Sequence, residues 1–285
     1  MYRYISGFAD EIDKMVDKQF EVLNKLGIKY FEPRFVDGKN ISEFTEEEAH
    51  ALKEKMDKHG IEVSSVGSPI GKIKISGDFE SHFEVFKNTV KVAKIIGAEY
   101  IRIFSFYPDE KGNWSEDDIR QIFEKLGRMI EYAKAEGIIL LHENEKDIYG
   151  ESAENCLELM ERLYCDNFKA VFDPANFVQS GVDTKKAYDM LYKYIEYMHI
   201  KDAYCESGRV VPAGMGDGNV EYILTDLFEK GYRGYLSLEP HLGSFEGLAD
   251  LELGDEMMSL PKSGEGTFEI AYNALCKIVE RIGVE

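Results

Sequence analysis

Gly137-Ile138-Ile139-Leu140-Leu141-His142-Glu143-Asn144 is the stretch on which the fold turns. Upstream, Glu116–Glu136 has helical patterning, and Gly137 closes it, since glycine accepts the left-handed conformation that ends a helix. Downstream, an apolar run over Ile138–His142 reads as a strand and closes on an acid and an amide. Working outward, the same unit recurs. Strand-like runs fall at Tyr4–Phe8, Tyr30–Phe35, Glu62–Gly67, Tyr100–Phe106, Ala170–Asp173, Tyr197–Lys201 and Tyr235–Pro240. Helical patterns fall between them at Asp13–Leu26, Thr45–His59, His82–Ile96, Ala153–Tyr164, Thr184–Tyr194, Val220–Lys230 and Phe268–Ile282. Thr45 and Glu48 form a capping-box pair at one helix start, and Gly27, Gly60, Gly97 and Gly231 occupy the place of Gly137 in their own units.

Strand–helix units of about 30–40 residues, repeated in this way, imply a parallel sheet. Eight of them predict an α/β protein of the closed (β/α)8 TIM barrel type, a single domain over residues 1–285. An open doubly wound sheet is the alternative, but the first strand runs into Phe8-Ala9-Asp10-Glu11 without a glycine-rich phosphate loop. One long irregular segment, His241–Gly266, follows the last strand. Its glycines and apolar side chains predict a cover for the barrel mouth or an interface element.

Composition narrows the function. The chain has 285 residues, 44% hydrophobic and 31% charged, with a formal net charge of −20. Such a surface repels phosphate backbones and anionic lipid, so no nucleic acid and no membrane is expected as partner. Cys156, Cys165, Cys205 and Cys276 form no C-x-x-C pair and read as free thiols of a reducing compartment. The charged start excludes a signal peptide, and the expected location is cytoplasmic. A homo-oligomer stays open.

In a barrel, chemistry gathers at the C-terminal strand ends. The last four predicted strands end on Glu143, Asp173, His199 and Glu239, separated by 30, 26 and 40 residues. Three carboxylates converging there would repel one another, and a divalent cation resolves the conflict. Each could instead cap its own helix or pair with a lysine, a reading that weakens when four consecutive strands share the pattern. Oxygen-rich ligation with one imidazole suits Mn²⁺, Mg²⁺ or Co²⁺ and accepts Zn²⁺.

The set Leu141-His142-Glu143-Asn144, Phe172-Asp173-Pro174-Ala175-Asn176, His199-Ile200-Lys201-Asp202 and Leu238-Glu239-Pro240-His241 resembles the xylose isomerase-like barrels, specifically the sugar phosphate isomerase/epimerase family. The resemblance spans essentially the whole chain. It implies one bound divalent ion, usually Mn²⁺, and a small-molecule sugar substrate. Glu143 and Glu239 would be both metal ligands and the catalytic acid/base pair of an isomerase or epimerase. A lyase that dehydrates an inosose-type keto-cyclitol on the same site is the runner-up. Epimerases of the family carry a histidine where this chain has Asn176, and an arginine soon after the strand-seven histidine, for which Arg209 is the nearest counterpart. The family's abasic-site endonucleases need further histidines where this chain has Ser65–Ser68, Ser105 and Asn176, which disfavours a nuclease. Expected substrate-binding residues are Glu32, Arg34, Lys72, Glu145, Asn176, Lys201, Arg209 and His241. A glycine-rich turn, Gly214-Met215-Gly216-Asp217-Gly218, is either a phosphate cradle or a tight structural turn.

Overall fold

The computed structural model describes residues 2–242 and 264–283. Eight strand segments and eight principal helices alternate along the chain. The strands are β1 (Ile5–Gly7), β2 (Tyr30–Phe31), β3 (Glu62–Val63 and Val66–Gly67), β4 (Tyr100–Ile103), β5 (Ile139–Glu143), β6 (Phe168–Phe172), β7 (Ile195–Ile200) and β8 (Leu236–Leu238). The helices are α1 (Val16–Leu26), α2 (Glu46–His59), α3 (Phe79–Ile96), α4 (Glu116–Glu136), α5 (Ala153–Leu163), α6 (Thr184–Leu191), α7 (Val220–Glu229) and α8 (Gly264–Arg281).

A parallel ladder runs from β3 through β4, β5, β6, β7 and β8 to β1. The ring closes through β2. Tyr30 and Phe31 pair with Glu62 and Val63 of β3, and Glu32 N donates to Gly7 O of β1 at 2.9 Å. The result is the (β/α)8 barrel.

Alternation along each strand sorts the side chains into two sets. Leu140, Phe172, Met198, Ile200, Leu236 and Leu238 point outward into the main core beneath the helices. Leu141, Val171 and Tyr197 form a separate small cluster inside the barrel, with Tyr100, Ile139 and Tyr235 packed against it. The residues two positions further along are Glu143, Asp173 and His199, so strand parity carries them into the barrel above an apolar floor.

Local chemistry explains where the elements start and stop. Thr45 and Glu48 make the predicted capping box, and Gly27, Gly60, Gly97 and Gly137 close their helices in the left-handed region. The run Tyr30–Phe35 is shorter than expected because Pro33 cannot continue the ladder. Phe35–Val36 instead turns back onto Lys39–Asn40 through Asp37-Gly38, with φ of 52° and 80°. Tyr100–Phe106 likewise stops at Ile103, and Phe104 and Phe106 donate to Ile70 O and Gly71 O of the preceding loop. A short helix at Pro174–Gln179 is additional. Asp173 accepts from Asn176 N, and Pro174 stands at the first turn, where its missing N–H costs nothing. Gly264 and Gly266, expected in the long loop, belong to the start of α8. The rest of that predicted cover, residues 243–263, lies outside the described residues.

The glycine-rich turn binds an anion, and the anion is its own. The Asp202 carboxylate accepts from the backbone N–H of Ala203, Gly214, Gly216 and Gly218 at 2.8–2.9 Å. A Cβ on Gly216 would stand 2.5 Å from Asp202 Oδ1. Those amides are therefore spent on a structural turn, and the phosphate-cradle alternative falls. Asp202→Ala strands several of these donors, each costing about 1–3 kcal/mol when buried without a partner. Denaturant unfolding of the variant is expected to show a loss of at least that size, and a loss below about 0.5 kcal/mol would contradict this account of the turn.

Candidate metal centre

Glu143 ends β5, Asp173 follows β6, His199 lies within β7 and Glu239 follows β8. One ligand atom from each lies within 4.8 Å of the others, and all four residues are buried. His199 Nδ1 is 2.8 Å from Glu143 Oε1 and 3.7 Å from Glu239 Oε2. Lys201 Nζ stands 2.8 Å from both Asp173 Oδ2 and Glu239 Oε2.

Two side chains hold this group in register. Asn144 donates from Nδ2 to Asp173 O and accepts at Oδ1 from Asp173 N, both at 2.9 Å, which ties the end of β5 to that of β6. Asn176 Nδ2 donates to Asn144 O at 2.9 Å and to Glu143 Oε1 at 3.2 Å. Asn176, expected to meet substrate, thus has its amide engaged in orienting Glu143.

The residues present fit a divalent ion. Three carboxylates and an imidazole form a borderline-hard donor set. Asp173 Oδ2 is buried and makes no hydrogen bond, because its 2.8 Å approach to Lys201 lacks hydrogen-bond geometry. A buried carboxylate oxygen that meets an ammonium but completes no hydrogen bond keeps a lone pair open to a divalent ion.

Electrostatics divides the four. Burial alone would raise the Glu143 carboxyl, but His199 and Arg102 outweigh it and hold it at about 2. Burial is likewise outweighed at Glu239, which Lys201 and His241 hold well below the usual carboxylate range. Asp173 is pushed up to about 6 by burial, with Lys201 opposing and Glu239 and Glu143 adding to the rise. Burial would lower the His199 imidazole, yet the carboxylates of Glu143 and Glu32 hold it well above its ordinary value.

Arg102 is the main residue that the sequence reading missed. It is buried in β4, and its Nη1 donates to Glu143 Oε2 at 2.6 Å. An arginine inside the apolar run Tyr100-Ile101-Arg102-Ile103-Phe104 was the available signal, since a buried guanidinium implies a buried acid. Asp10 and Glu11 were also passed over. They grip Arg34, whose Nε is 2.8 Å from Asp10 Oδ2 and whose Nη1 reaches Glu239 Oε1 at 3.3 Å. Glu11, Glu239 and His241 form a second close set of potential ligands. Arg34 already supplies the positive charge there.

The remaining predicted contacts divide. Lys201 and His241 join the cluster, the latter through Nε2 at 3.3 Å from Glu239 Oε1. Lys72 and Glu145 pair with each other at 2.8 Å, Lys72 lying over the Phe104 ring. Arg209 stands outside the cluster, in the hairpin of Asp202–Ala203 with Val210–Val211, its guanidinium over Tyr204. Of Glu32 and Arg34, one was expected to face the mouth; Arg34 is partly exposed and salt-bridged, whereas Glu32 is completely buried beside His199, held by Tyr197 and Ser237. A cavity of about 600 Å³ bounded by Tyr4, Tyr100, Tyr232 and Tyr235 opens at the opposite, N-terminal end of the barrel, away from these groups.

The sequence matches the family model described as "Xylose isomerase-like TIM barrel" over residues 20–258, and the chain belongs to that family. No curated protein matches it. Among solved structures, the IolI protein with a bound zinc atom superposes with a TM-score of 0.75 at 17% identity, covering 98% of this chain and 99% of that one. The probable 3-DHS dehydratase AsbF from Bacillus anthracis gives 0.72 at 15% identity, covering 97% and 99%. An L-ribulose 3-epimerase gives 0.72 at 18% identity, covering 99% and 96%. At these identities the likeness is one of fold. No described helix is long and apolar enough to cross a membrane.

Loading the site with a divalent ion must displace protons, with a sign set by two groups. His199, held above its ordinary value by Glu143 and Glu32, gives up a proton where it still carries one. Asp173 gives up another only where it is still protonated, at and below a pH of about 6. Titration calorimetry in buffers of different ionisation heat is expected to find proton release per ion rising by about one between pH 8 and pH 5. A release that does not change across this range would contradict the Asp173 assignment. Before loading, the raised Asp173 carboxyl stabilises the fold below its ordinary value of 3.8, a contribution lost as pH rises through about 6.

Proposed function

We propose that this chain is a divalent-metal-dependent isomerase or epimerase of a small sugar or sugar-derived ketone, acting through an enediolate. The observation that carries the proposal is the buried convergence of Glu143, Asp173, His199 and Glu239 around an unbonded carboxylate oxygen. The L-ribulose 3-epimerase that shares the fold supports the reaction class.

Those four residues would hold the ion, for which Mn²⁺ is the first choice and Zn²⁺, Co²⁺ or Mg²⁺ are acceptable. When bound, it would draw electron density from a ketone and its neighbouring hydroxyl and so acidify the intervening C–H. The chain's own groups do the rest. Glu143 and Glu239 enter from β5 and the end of β8, each with one oxygen in the cluster and the other turned to a cation. Glu143 is anionic against Arg102, which weakens it as a base, so taking a proton from carbon would require that contact to loosen. Glu239 Oε1 faces Arg34 and the half-exposed His241, which connects it to solvent for proton return. Lys201 lies where it can hydrogen-bond a substrate oxygen beside Glu239. The four ligands arise from carboxylate and imidazole side chains on one barrel rim, and a soluble small-molecule substrate suits that mouth.

One observation favours a second reading. His199 and Arg102 hold Glu143 so firmly anionic that placing a proton on it is costly, which suits a reaction in which only one carboxylate takes a proton. A lyase meets that description. A carboxylate takes the proton beside the ketone, the electron pair forms the double bond, and the same carboxyl returns that proton to the β-hydroxyl, which leaves as water. Keto-cyclitols of the inosose type are the substrates of choice for this reading, and the probable dehydratase among the fold relatives supports it.

Ketoses, phosphorylated ketoses and inososes, each incubated with the Mn²⁺-loaded protein in D₂O, distinguish these reactions by NMR. Deuterium entering the carbon next to the ketone supports the enediolate, and an alkene signal with loss of water selects the lyase. Absence of exchange and turnover across all three classes would overturn the proposal. Glu143→Gln and Glu239→Gln are each expected to lower turnover by at least about 100-fold while retaining part of the metal. A variant with full metal and near-native rate would remove that glutamate from the acid/base pair.

A further inference from the structure

We infer that Glu32 is a positioning residue for the metal centre: it takes the Nε2–H of His199 and so presents Nδ1 to Glu143, Asp173 and Glu239. This inference rests on the proposed metal site and assigns Glu32 a different job from substrate contact.

The geometry is one-sided. Nδ1 of His199 faces the cluster, 2.8 Å from Glu143 Oε1, whereas Nε2 faces away, 3.3–3.4 Å from the two Glu32 oxygens. The ring has little room to turn over, with Phe8 edge-on at 5.2 Å and Tyr197 edge-on at 5.8 Å. Glu32 is itself fixed from below. Its Oε2 accepts from Tyr197 OH at 2.9 Å and from Ser237 Oγ at 2.7 Å. Tyr197 OH is in turn 2.8 Å from Ser64 Oγ, and Ser64 Oγ is 2.6 Å from Ser6 Oγ. A hydrogen-bonded column therefore rises along the barrel interior from Ser6 to His199.

Burying a carboxylate is costly, and here it is placed behind a ring nitrogen instead of at the mouth. An imidazole whose far N–H is held by a carboxylate has one defined tautomer, a fixed orientation and a more basic lone pair on the other nitrogen. Each of these favours a cation at Nδ1. The hydroxyls of Tyr197 and Ser237 satisfy Glu32 Oε2, leaving Oε1 for His199.

The test uses the full chain loaded with zinc and labelled with ¹⁵N-histidine. Long-range ¹H–¹⁵N spectra of the native protein are expected to show His199 with a protonated Nε2 and a zinc-shifted Nδ1. The reverse assignment, zinc on Nε2, would overturn the inference without any variant being made. Glu32→Gln keeps the volume and removes the charge. Competition with a chromophoric chelator is expected to show zinc affinity 10–100-fold weaker, with the Nε2–H signal shifted or lost. Ser237→Ala removes a donor to Glu32 but not the carboxylate, and is expected to stay within about threefold of native affinity. Native zinc uptake with unchanged affinity in Glu32→Gln would overturn the positioning role alone. A native protein that takes up no zinc, manganese or magnesium would overturn the metal reading and this one together.

Discussion

Glu143, Asp173 and Glu239 are packed out of water with ligand atoms within 4.8 Å of each other, and like charges at that spacing in a poorly polarisable interior repel strongly. Every neighbouring choice answers that repulsion. Arg102 comes from β4 to Glu143, Lys201 rises between Asp173 and Glu239, and His199 sits against Glu143. Arg34 neutralises Asp10 and Glu11 and reaches the outer oxygen of Glu239. The cations do not complete the balance, since Asp173 Oδ2 is left without a hydrogen bond and its carboxyl is pushed up to about 6. Asp173 Oδ2 is thus one buried polar atom of the site without a hydrogen bond, with Arg102 Nε another, and a divalent ion would relieve the repulsion among the carboxylates.

Much of this could be read from the chain, and the parts that could not have a common cause. The barrel follows from eight recurring strand–helix units, whose helix-ending glycines and capping box the structure reproduces. The four strand-end residues were visible because their spacing tracks the length of one unit. Strand lengths were overestimated where apolar composition continues past a break, at Pro33 and again after Ile103. Arg102 was missed because residues were read along the chain, whereas the site is assembled by parity. Tyr100 packs on the cluster inside the barrel and Arg102 lies two positions beyond it, so alternation directs both inward. Which of Glu32 and Arg34 faces the mouth stayed open because closure of the ring through Gly7 O sets the height of β2, a long-range fact that no local pattern records. Asn176 looked like a departure at the substrate, but its amide proves to be engaged with Glu143 and Asn144.

The same inventory shows that the two glutamates are not equivalent. Around Glu143 all the neighbours are buried: Arg102 on one oxygen, Asn176 and His199 on the other. Around Glu239 one oxygen shares Lys201 with Asp173, but the other looks toward Arg34 and His241, which reach solvent. A proton placed on Glu143 would have to be held against a guanidinium in a dry environment, whereas one on Glu239 has an exit. Strict two-base epimerisation asks both carboxylates to hold and release a proton in turn. Of the two departures from the epimerase pattern that the resemblance implies, Asn176 falls on the Glu143 side, whereas Arg209 stands outside the cluster. If this chain is an epimerase, substrate binding must pull Arg102 away from Glu143 or draw the second proton from solvent through His241 on the Glu239 side. If it is a lyase, an anionic Glu143 can serve as ligand while Glu239, linked to solvent by His241, handles the proton. On the proposed function, the buried Arg102–Glu143 ion pair bears more on the choice between the two reactions than the four ligands do, since both reactions would use the same ligands.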